Sequence, residues 1–179
     1  MPLHDPSIPL LAAMLTVAVS AVTDLRNGTI PNWLTIPPLL LAPLAHGFFH
    51  GPGALGASLL GMAACGAVPA LLFARGAMGG GDLKLFAALG AMVGAGTGLE
   101  IELGSFLLAA LYALGRLAWR GRLLRTLFNA VWILLNVFLP TGRRRQIRPE
   151  LMSSVRMGGA ILAAALLIFL ARAPLGCTW

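Results

Sequence analysis

Apolar runs close to the length of a membrane-spanning helix alternate with short breaks rich in glycine, proline and charge along the 179-residue chain. Six such runs fall near 8–23, 33–49, 54–73, 83–98, 103–119 and 155–171. Each approaches the roughly 20 residues with which an α-helix, rising about 1.5 Å per residue, crosses about 30 Å of hydrocarbon. The pattern predicts an all-α polytopic membrane protein, a bundle of about six transmembrane helices forming a single domain over 1–179. A further apolar stretch, 126–139, is too short to span at roughly 21 Å, and is expected to lie at the interface between the fifth and sixth spans. Pro37, Pro38 and Pro43 in the second run and Pro69 in the third are expected to kink or locally break their helices. Gly90 and Gly94, four apart in the fourth run, read as a small-residue face for close helix packing. No basic residue precedes the first run, which therefore reads as a retained helix rather than a cleaved signal.

Composition supports the same class: 58% of residues are hydrophobic, 11% are charged, and mean hydropathy is +0.86. The basic residues orient the chain, because short loops rich in Lys and Arg remain cytoplasmic. All but Arg172 fall in the first, third and fifth connections, from Arg26 through Arg75 and Lys84 to the cluster ending at Arg156. Glu100 and Glu102 are read as the acidic fourth connection, on the other side. Both termini are thus expected to be non-cytoplasmic. The net charge of +7 is explained by this topology and by anionic headgroups, so the bilayer rather than a nucleic acid is the expected partner.

Against this background two carboxylates stand out. Asp24 closes the first run and opens Asp24-Leu25-Arg26, followed by Ile30-Pro31-Asn32; Asp82 follows Gly79-Gly80-Gly81 and precedes Leu83-Lys84-Leu85. Two spans separate them, which returns the chain to the same side. A carboxylate near the membrane core costs about 2.5–3.5 kcal/mol on insertion scales, so such groups line water or find partners. One aspartate alone reads best as a helix-end residue paired with Arg26 or Lys84; two on one face read as a general acid–base pair able to activate water against a peptide bond. The glycine triplet permits close backbone approach, or serves only as a flexible loop. Ile30-Pro31-Asn32 fits a turn and cap opening the second helix. Lys84 either biases the ionisation of Asp82 or anchors in headgroups.

At these residues the chain resembles the type IV prepilin peptidases, through Asp24, Arg26 and Ile30-Pro31-Asn32 and then Gly79-Gly80-Gly81-Asp82-Leu83-Lys84-Leu85. The resemblance implies an aspartic endopeptidase of the bacterial inner membrane with Asp24 and Asp82 as the catalytic pair. Arg26, Pro31, Asn32, Gly79, Gly80, Gly81 and Lys84 would lie close to the substrate. That substrate would be a pilin-like precursor, cut at the cytoplasmic face before its hydrophobic helix. Larger relatives also methylate the new terminus and carry paired CxxC motifs; here Cys65 and Cys177 are isolated. The resemblance is therefore to the small form associated with tight-adherence pili. Arg156-Met157-Gly158-Gly159-Ala160 departs from the Pro-Phe-Gly-Pro-like run of many relatives.

Rival chemistry is weaker. His46 and His50 have i, i+4 spacing but an apolar setting and a position opposite the aspartates, so neither a metal nor another cofactor is expected. Cys65 and Cys177 lack a neighbouring base and read as packing residues. The alternatives are another intramembrane aspartyl protease of Gly-x-Gly-Asp type, or a non-enzymatic transporter or scaffold using the carboxylates as an ion relay.

Overall fold

A computed structural model of the chain describes residues 7–119 and 157–172. Among the described residues there are five helices: α1 (Ser7–Asn27), α2 (Asn32–His50), α3 (Pro52–Ala74), α4 (Gly80–Trp119) and α5 (Gly158–Arg172). Length and hydropathy suit three of them to cross a membrane, over Pro9–Asn27, Pro52–Ala74 and Gly80–Arg116, while α5 contributes the shorter apolar stretch Gly158–Ala171. The protein is an all-helical, multi-pass membrane protein. The chain divides into two compact units, 1–108 with 156–179, and 109–155. The packing and site described below belong to the first unit; the stretch 126–139 and the arginines from Arg120 to Arg156 lie outside the described residues.

The expected six-helix bundle is overturned. Instead of two spans joined by a connection, the fourth and fifth apolar runs form one helical element, α4, interrupted only by the backbone of Gly94. Its φ of 81° and ψ of 168° lie where essentially only glycine is accommodated. The chain reverses there. The rings of Phe86 and Phe106 lie 5.7 Å apart, whereas a straight helix would separate them by about 30 Å. Glu100 and Glu102 are therefore helical rather than a connection, and Glu102 is 2% exposed. The two acidic residues suggested a break, but the reversal lies nearer the N-terminus, at a glycine that also fitted a packing face.

The reversal interrupts the helical hydrogen-bond ladder, and neighbouring helices supply donors to the carbonyls just before it. Ser58 Oγ of α3 donates to the Ala91 carbonyl at 2.7 Å, and His46 Nε2 of α2 donates to that of Met92 at 3.4 Å. His46 thus has a structural partner, with its ring 5.8 Å from that of His50. Gly90 meets the backbone of Gly61 so closely that a Cβ on Gly90 would also stand 2.8 Å from Cβ of Cys65. Such contact lets helices associate in lipid through packing rather than through exclusion of water.

Helix ends are set by local chemistry. Gly28, with φ of 69°, follows the last turn of α1 and donates its N–H to the Asp24 carbonyl. At the end of α3, Gly76 donates to Phe73 and Ala77 to Leu72, the paired bonds of a Schellman stop around a left-handed glycine. Gly51 alone joins α2 to α3, which begins with Pro52 at a position where a missing N–H costs nothing. The expected breaks at the internal prolines do not occur: α2 and α3 run on as single helices, with Pro43 and Pro69 buried. α1 packs on α5, and α2 on α3. A small core gathers Val17, Leu85, Phe86, Leu89, Ile101 and Ile161, while Leu15, Leu44, Leu60 and Leu107 remain exposed, as befits a lipid-facing surface.

Candidate active site

Asp24 lies in the last turn of α1 rather than beyond it, and only 6% of its surface is exposed. The i, i+3/i+4 spacing puts it on the buried face that includes Val17 and Ser20. Its Oδ2 accepts a 2.9 Å hydrogen bond from the backbone N–H of Gly158, which opens α5 134 residues away. Asp82 lies in the first turn of α4. Its carboxylate accepts a hydrogen bond from the backbone N–H of Gly79, the reach by which an acidic side chain at the third helical position satisfies the residue preceding the helix. Each carboxylate is therefore engaged by a separate backbone amide at a helix N-terminus, where partial positive charge favours an anion. The charge of Asp24 acts on Asp82.

Two further contacts join the sequence motifs. A Cβ on Gly81 would stand 2.9 Å from Cβ of Ile30 and 3.2 Å from its carbonyl oxygen, so a glycine is required for this approach. Lys84 Nζ donates to Asn32 Oδ1 at 2.8 Å, across 52 residues of sequence. Pro31 precedes α2 with extended backbone, and the Asn32 side chain engages Lys84 without capping its own helix. Gly80 packs near the ring of Phe73, and Gly79 approaches Asp82 Oδ2. Arg26 is exposed. Gly158 is the important residue that sequence reasoning missed as a partner of Asp24; the signal available was a second glycine pair, Gly158-Gly159, at the start of an apolar run.

The model of the Type IV leader peptidase family matches residues 10–114, more than half the chain and both aspartate motifs. The chain belongs to this family. Comparison with curated proteins and with solved structures gives no match. In this leader peptidase family member the matched stretch contains every residue read from the motifs, but ends before Gly158. The α5 contribution to the site thus lies outside the family match.

Proposed function

We propose that the chain is a prepilin leader peptidase, with Asp24 and Asp82 as its catalytic pair. The reading rests on one observation above all: the close approach of Gly81 to Ile30 brings the two motifs together where the charge of Asp24 acts on Asp82. In the reaction, one ionised aspartate takes a proton from water, and the oxygen attacks the scissile carbonyl carbon. The other, protonated, donates to the carbonyl oxygen; collapse of the tetrahedral species breaks the C–N bond as the departing amine gains a proton. Two neighbouring carboxylates suit this task because both do not readily ionise together.

The substrate is a pilin-like precursor with a short leader before a hydrophobic helix, whose apolar segment shares the bilayer with the enzyme. The site faces the cytoplasm in the bacterial inner membrane, with both termini on the other side, as the distribution of Arg and Lys supports. Isolated Cys65 and Cys177 favour the small, tight-adherence form without methyl transfer, in a pilus-assembly or secretion pathway.

The test is co-expression with a tagged pilin-like precursor, followed by gel mobility and N-terminal sequencing of the product. Asp24→Asn and Asp82→Asn are each expected to lower cleavage by at least about a thousandfold, within the range for loss of a general acid or base, while the variants still accumulate in the membrane. Wild-type processing by either variant defeats the reading.

A further inference from the structure

Asp24 occupies an unfavourable place for a carboxylate when α1 is considered alone. It lies in the last turn, where unpaired carbonyls present partial negative charge. The opposing contribution comes from α5, whose first residue donates its N–H to Asp24 Oδ2 at 2.9 Å. Steric detail independently ties the same residue to the carboxylate. A Cβ on Gly158 would stand 2.8 Å from Cβ of Asp24, 2.9 Å from Oδ2 and 3.2 Å from Cα of Ala21. Glycine is thus the residue that brings this amide onto the carboxylate. The adjacent Gly159 has nothing within 4 Å of an added Cβ.

We infer that Gly158 is a positioning residue for Asp24, its backbone amide fixing the orientation of the carboxylate during catalysis. The inference rests on the proposed catalytic role of Asp24.

Proline removes the donor and, like alanine, adds a Cβ, so Gly158→Ala serves as its steric control. Proline is tolerated at the first helical position but has no N–H, and Met157 before it lies outside the helix, as a residue preceding proline prefers. Full-length enzyme in detergent, cleaving a purified pilin-like precursor, compares Gly158→Pro, Gly158→Ala and Gly159→Ala. Gly158→Pro is expected to lower kcat by about a hundredfold with KM changed by less than about threefold. Gly158→Ala, which keeps the N–H but displaces it, is expected to show the same split of kcat from KM at about a tenfold loss; Gly159→Ala is expected to match wild type.

A Gly158→Pro enzyme with wild-type kcat overturns the inference, as does one no slower than Gly158→Ala or an effect confined to KM. If Gly158→Pro does not accumulate as a monodisperse species, Gly158→Ala decides: wild-type kcat overturns the inference, and a lowered kcat with KM unchanged supports it. Asp24→Asn assayed alongside keeps the two claims apart: an inactive Asp24→Asn with wild-type kcat throughout the Gly158 series rejects the positioning role alone, whereas an active Asp24→Asn rejects the catalytic reading beneath it.

Discussion

Lys84 and Asn32 show how a single polar contact ties two motifs that look independent in the sequence. The ammonium reaches Asn32 Oδ1 from α4, beside the Gly81–Ile30 approach. A hydrogen bond to a charged group is worth about 1.5–3 kcal/mol when shielded and less when exposed, as here. Lys84→Met and Asn32→Ala are each expected to lower kcat/KM by about three- to tenfold, and the double variant to be no worse than the poorer single, because both remove one interaction. Additive losses in a double-mutant cycle on precursor cleavage assign the two residues separate roles. Both aspartates stood out in the sequence because a carboxylate is conspicuous in so apolar a chain. The bonds around them were less legible: Gly158 to Asp24 and Lys84 to Asn32 span 134 and 52 residues, and no local pattern encodes a bond made across such distances.

At the scale of the elements, the apolar runs fall on helices but overstate their number: five are described, and three of them suit a membrane crossing. α1 extends past the expected end at 23 and carries Asp24 inside its last turn, because Gly28 rather than the polar residues sets the stop. The reversal in α4 eluded the same reasoning for a related cause. A lone glycine within an apolar run carries two meanings, small packing surface and left-handed hinge, and only the backbone distinguishes them. Gly90 has the first meaning, against Gly61, and Gly94 the second. Gly94→Ala is therefore expected to destabilise the protein by about 1–3 kcal/mol through backbone strain alone, since an added Cβ there meets nothing within 4 Å. Thermal unfolding in detergent measures this; a midpoint equal to wild type shows that the reversal does not depend on the glycine backbone.

For the molecule as a whole, the proposed chemistry requires the α1–α2 and α3–α4 connections to share a side of the membrane and the α2–α3 connection to lie on the other. Exposed positions in each offer the test. Thr29→Cys and Arg75→Cys, in a Cys177→Ser background where the remaining Cys65 is buried, are expected to react with an impermeant maleimide only in inverted vesicles, and His50→Cys only in right-side-out ones. Labelling of Thr29→Cys and Arg75→Cys from opposite sides is incompatible with a common site. The expected orientation rests on the placement of Arg and Lys, which reports the side of a connection and not whether a connection exists, so the number of separate helices did not follow from it.

The bond between Asp24 and Gly158 also sets a schedule for biosynthesis. Both acidic side chains leave the ribosome before the amide that steadies the first of them, which is made 134 residues after Asp24. A nascent chain halted before α5 holds both acids without that support, so under the proposed role of Asp24 the site is complete only once α5 has been made.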